Sequence, residues 1–142
     1  MELNFTHGAQ EYTVHGVKGD VELYFNPTDG EFVQRLYHAF DMLDKKQEAY
    51  NEEIQKCGNN AKIFEIARKR SDEMRTVIDA IFEEPICEKI FGRMNLYALS
   101  TDGLYIWAEF LLALMDATDE AFSKSREAAK ARLKKYTEKY RR

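Results

Sequence analysis

A chain of 142 residues has the length of one domain, and folding at that size removes about 70% of the surface its unfolded state exposes. With 44% hydrophobic residues and 18 aromatics (nine Phe, eight Tyr and one Trp), the composition excludes an intrinsically disordered chain. The net charge of −4 divides unevenly: residues 124–142 hold nine Lys or Arg against two Glu, a net of +7 that leaves −11 on the first 123 and excludes broad contact with nucleic acid.

Apolar residues in the first 26 positions alternate: Leu3 and Phe5, then Tyr12 and Val14, then Val21, Leu23 and Phe25. That period predicts short strands, joined through His7-Gly8-Ala9 and His15-Gly16-Val17-Lys18-Gly19-Asp20 into a small antiparallel β-meander over residues 1–26. Asn26-Pro27 ends the last strand, and Thr28 with Glu31 three residues later has the form of a capping box that opens the first helix. Val33, Leu36, Phe40, Leu43, Gln47, Tyr50, Ile54 and Cys57 then recur at spacings of three and four, a seam of more than three heptads. Asp41, Asp44, Glu48 and Glu52 form a separate stripe expected to face water.

Gly58-Asn59-Asn60 supplies a stop and a new N-cap, so a second helix carrying Ile63, Ala67, Met74, Val77, Ile78, Ile81 and Phe82 is expected to return antiparallel to the first. Pro85 suits the start of a short third helix that Gly92 ends. Ser100, Thr101 and Asp102 offer caps for a fourth, whose apolar residues between Leu104 and Met115 cover so much of its circumference that it is expected at the centre of the core. Phe122, Ala129, Leu133, Tyr136 and Tyr140 then form a thin apolar stripe among Lys, Arg and Ala, a shallowly packed basic end over residues 123–142. The expectation is an α+β, mainly α, single domain: a β-meander, a helical core over residues 28–122 that forms a four- to five-helix bundle with an antiparallel hairpin, and a basic tail.

Chemistry-bearing patterns are sparse. Cys57 and Cys87 are read as small buried hydrophobes, since two thiols thirty apart fit neither a disulfide framework nor a zinc site. No histidine of His7, His15 and His38 has a nucleophile pattern, and no glycine-rich loop precedes Lys-Ser or Lys-Thr. Asp41 with Asp44 and Asp116 with Asp119 superficially fit a magnesium-dependent all-α nucleotide pyrophosphohydrolase, the weakest of three functional alternatives. The twelve residues from Leu104 to Met115 fall short of the roughly 20 needed to cross a bilayer, and Met1-Glu2-Leu3-Asn4 lacks the basic flank of a secretory signal, so a cytoplasmic protein is expected. No cofactor and no metal is expected.

Four stretches carry a resemblance: the Met1-Glu2-Leu3-Asn4-Phe5 start, NPTDGEFVQRLYHAFDML from Asn26 to Leu43, FGRMNLYALSTDGLYIWAEFLLALMD from Phe91 to Asp116, and KKYTEKY from Lys134 to Tyr140. Together they resemble a family of small proteins of tailed, siphovirus-type bacteriophages and prophages of Gram-positive gut bacteria, encoded between the major tail protein and the tape-measure protein. Proteins at that locus are similar to tail assembly chaperones. The resemblance implies a non-catalytic protein in the cytoplasm of a bacterial host that binds the tape-measure protein, and also implies contact with the major tail protein or self-association. Such a role calls for exposed aromatic or apolar grooves, for which Tyr37, Tyr50, Tyr97, Tyr105 and Trp107 are the candidates. The basic end adds Lys130, Lys134, Lys135, Tyr136, Lys139, Tyr140, Arg141 and Arg142. A structural virion protein that oligomerises through its helices is the second alternative.

Overall fold

A computed structural model of the chain describes residues 1–140, with side chains described except at 132, 133 and 135–140. Two strands, β1 (Gln10–Gly16) and β2 (Gly19–Phe25), precede four helices, α1 (Gly30–Lys56), α2 (Asn60–Phe82), α3 (Ile86–Phe91) and α4 (Ile106–Tyr140). The fold is α+β and mainly α.

β1 and β2 pair antiparallel across Val17-Lys18, with Tyr12 opposite Leu23 and Val14 opposite Val21. These residues and Phe25 share the inner face, while Thr13 donates to Glu22 on the wet face at 2.9 Å. The sheet has two strands, and the meander's expected first strand is absent: Leu3 and Phe5 are 88% and 80% exposed. Two alternating apolar residues supply too little buried face to offset the ordering of a strand. The segment is tied where Asn26 Nδ2 donates to the His7 carbonyl at 2.8 Å.

Asp29, not Thr28, caps α1 by accepting from the Glu31 amide at 3.1 Å, because Asn26 Oδ1 already holds the Thr28 amide and hydroxyl. The buried stripe of α1 is Phe32, Leu36, Ala39, Leu43 and Tyr50, rotated slightly from the expected seam, whose Val33, Phe40, Gln47, Ile54 and Cys57 are half-buried. Asn59 caps α2 through the Ala61 amide. Arg35 Nε donates to the Ile81 carbonyl at 3.0 Å and Tyr50 reaches Glu73 at 3.0 Å, so α2 returns antiparallel along α1. At the open end of this pair Phe25 stacks on Tyr12 and Phe32 and meets the edge of Phe82, which binds the strands to both helices.

α3 is short because Glu83, at φ 58, turns the chain after α2 and Gly92, at φ 57, turns it again. All four of its apolar residues, Ile86, Cys87, Ile90 and Phe91, are buried. The Val17 amide donates to the Ile90 carbonyl at 2.8 Å, and a Cβ on Gly16 would lie 2.9 Å from that oxygen, so only glycine lets the hairpin sit this close.

The expected fourth helix and the basic end form one continuous helix, α4, whose start is surrounded by α1, α3 and the hairpin. Trp107, Leu111 and Leu114 are buried, whereas Leu104 precedes the helix at 44% exposure and Leu112 is exposed as well. From Ile106 to Leu111 every residue is buried or half-buried, with Trp107 against Phe40 of α1 and Phe110 against Phe91 of α3, and beyond Leu111 the covering becomes one-sided. Among the described residues no helix is long and apolar enough to cross a membrane.

The buried α1 stripe sets a clear test. Leu43→Asp places an unpaired carboxylate in that stripe at a cost of several kcal/mol, a large part of the about 5–15 kcal/mol that holds a domain together. Its cooperative melt should be lost, while Tyr37→Asp on the exposed face of α1 should melt within about 3 °C of wild type. Equal melting of the two variants would show that the stripe is misassigned.

Candidate functional site

The five aromatic candidates separate into a core set and one surface residue. Tyr50 and Trp107 are buried, Tyr97 and Tyr105 are half-buried, and only Tyr37 is exposed. Of the five residues expected to line a binding groove, Tyr50 and Trp107 belong to the core, while Tyr97 and Tyr105 pack against one another with part of each residue still open. Tyr97 meets the edge of Tyr50 at 5.6 Å and of Tyr105 at 5.9 Å, a T-shaped ladder that fastens the α3–α4 loop onto α1. Trp107 lies 5.5 Å from Phe40, closing the contact between α4 and α1.

The ladder ends in a charged knot. Arg70 of α2 lies 4.7 Å over the Tyr50 ring, pairs with Glu53 and bonds Glu73 at 3.0 Å, while Tyr50 donates to Glu73. Burial and the Glu73 hydrogen bond push the Tyr50 phenol up to about 12. Burial also raises Tyr97, followed in effect by the nearby Tyr50. For Glu73, burial acts to raise the carboxyl, yet the bonds from Tyr50 and Arg70 outweigh it and leave Glu73 below its ordinary value. The sequence signal for this knot was available: Tyr50 and Glu53, and Arg70 and Glu73, are each spaced three apart on helices expected to face each other.

The basic end has a different setting. From Phe122 to Ala131 every residue of α4 is exposed although the helix continues to Tyr140. The last residues of α4 facing the hairpin are Lys124 and Ser125, which share a small hollow with Gln10 and Tyr12. Beyond them the helix leaves the body as an arm. Lys130 and Lys134 are exposed, with Lys130 3.9 Å from Glu127. The side chains of Lys135, Tyr136, Lys139 and Tyr140 lie outside the described residues, as do Arg141 and Arg142 entirely.

Other expected chemistry is placed as follows. Cys87 is buried, and burial followed by its contact with Asp79 pushes the thiol above its ordinary range; Cys57 is half-buried beside the α1–α2 turn. Asp41 pairs with Lys45 at 2.8 Å, and Asp44, Asp116 and Asp119 are exposed. Among the described residues no three His, Cys, Asp or Glu side chains come together to hold a metal ion. No protein-family model, curated protein or solved structure matches the chain.

The knot makes stability sensitive to alkali. An unfolded tyrosine ionises near about 10, so the contribution of the neutral Tyr50 phenol is complete below that pH and is lost as pH rises toward the folded value. One proton changes stability by about 1.4 kcal/mol per pH unit in that window. Urea midpoints measured from about pH 9 to about pH 11.5 should fall more steeply for wild type than for Tyr50→Phe. Parallel profiles would mean that Tyr50 is not the responsive group.

Proposed function

We propose that this protein is a non-catalytic tail assembly chaperone that holds the helical tape-measure protein in the cytoplasm of a bacterial host. The observation that carries the proposal is the arm of α4, a helix that is packed along Trp107, Leu111, Leu114 and Thr118 and then continues with every described side chain exposed. Its sequence supports an unsupported helix, with Ala128, Ala129 and Ala131 among charged residues and with Glu120 and Lys124 paired at 2.9 Å one turn apart.

A lone helix of this length is nevertheless marginal in water, and it gains most from a partner that covers an apolar stripe. Phe122 and Ala129 begin such a stripe on the continuation of the face that packs at Leu111 and Thr118, and Leu133, Tyr136 and Tyr140 follow at helical spacing in the sequence. A long helical client supplies the matching stripe many times over. The four stretches that resemble the phage family include both the root of this helix and its end.

Capture of the client should fail when the arm stripe is broken. Co-expression of the full chain with a tagged tape-measure protein should recover both together, and Phe122→Lys with Ala129→Glu should reduce recovery at least about tenfold with an unchanged melting temperature. Undiminished recovery would sink the arm as the client site. A wild-type chain that binds no client but sediments as an oligomer, and loses that state in the double variant, would favour the helical oligomerisation reading instead.

A further inference from the structure

A cleft of about 890 Å³, with no residue of α4 in its lining, opens between α2, α3 and the loop that follows α3. Four cations line it: Arg68 and Arg75 from α2, Arg93 from the loop and Lys18 from the hairpin turn. The first 123 residues carry a net charge of −11, so this concentration of positive charge is unusual for the body.

Three carboxylates, Asp72, Asp79 and Glu88, line the same cleft, yet none of the four cations forms an ion pair with them or with any other described residue. Arg70, two positions from Arg68, shows the contrast, since its guanidinium is taken up by Glu53 and Glu73. The backbone keeps several of the cleft groups apart. Arg75 Nη2 donates to the Met94 carbonyl at 2.6 Å, which fixes the guanidinium against the loop and leaves its other N–H groups free of internal acids. Asp79 is turned away to accept the Cys87 amide at 2.9 Å. Lys18 lies across Gly92, where a Cβ would come within 2.8 Å of its Cε, and its turn is anchored by the Val17 amide on Ile90.

The spacing selects the ligand. Arg68 and Arg75 are seven residues apart on α2, a rise of about 10.5 Å that spreads their charge along a cleft far larger than one phosphate. Carboxylates four residues apart on an extended peptide project from the same face about 13 Å apart, a separation that two long, flexible arginine side chains can match. We propose that this cleft binds an acidic peptide segment whose carboxylates pair with Arg68 and Arg75 along α2, with Arg93 and Lys18 closing the opposite wall. Asp72 and Glu88 disfavour an uninterrupted acidic run, because a carboxylate set beside either is repelled. The site is separate from the arm and does not depend on the client proposed for it.

Fluorescence anisotropy of the full chain with two short labelled peptides tests this, one with Glu at every fourth position among Ala and Gly, the other with Gln in its place. The Glu peptide should bind at least about tenfold more tightly than the Gln peptide, and Arg68→Glu with Arg93→Glu should abolish that preference. Both positions are exposed, so circular dichroism should be unchanged. Since the arm is basic too, Lys130→Gln with Lys134→Gln is the companion variant, and it should retain the preference. Loss of binding in the arm variant but not in the cleft variant would overturn the proposal, as would no preference in wild type. Full displacement by inorganic phosphate, beyond that caused by sodium chloride at equal ionic strength, would overturn the peptide assignment in favour of a small-oxyanion site.

Discussion

Phe25 stands where three parts of the chain meet, and most of the fold follows from what its ring touches. It stacks on Tyr12 at 4.5 Å within the hairpin and on Phe32 at 4.6 Å at the start of α1, and it meets the edge of Phe82 at the end of α2. The cluster therefore fixes the register of the strands relative to the helices and closes the open end of the α1–α2 pair. The turn into α1 is tied to the same place, because Pro27 is buried and Asn26 holds both Thr28 and the His7 carbonyl. With the hairpin so placed, its tip reaches Ile90, and α3 is wedged between the strands and α2.

What was legible in the sequence was periodicity. The strands at Tyr12 to Phe25, the two long helices joined at Gly58-Asn59-Asn60, and the short helix between Pro85 and Gly92 all carry repeating apolar positions or residues with restricted backbones. What was not legible was how much of each face would find a neighbour. The first turns of α4 are covered on every side up to Leu111, but the cover stops there and does not reach the loop before the helix, so Leu112 and Leu104 remain exposed. Leu3 and Phe5 alternate like a strand and have no partner strand among the described residues.

Aromatic side chains show the same limit at the candidate site. Tyr50, Tyr97 and Trp107 have a composition suited to a binding groove, and a sequence does not say whether such rings meet a client or one another. The decision lay in long-range geometry: the loop after α3 is drawn onto α2 by Ser71, whose hydroxyl accepts the Leu96 amide, and that contact brings Tyr97 against Tyr50. The exposed arm was partly legible because its charge and thin apolar stripe both signalled shallow packing. The cleft cations were not, because Lys18, Arg68, Arg75 and Arg93 come from three separate segments and form no motif in the linear chain.

Trp107 also gives the molecule a built-in optical signal. It is the chain's single tryptophan, it is 1% exposed, and its indole N–H has no acceptor among the described residues. An indole in such apolar surroundings emits at shorter wavelength than one in water, and the nearest ring is Phe40 on α1. Its emission therefore reports on whether the root of α4 is seated on the body and is insensitive to fraying at the far end of the helix. Changes in the arm and detachment of the whole helix can thus be told apart in one cuvette without a label.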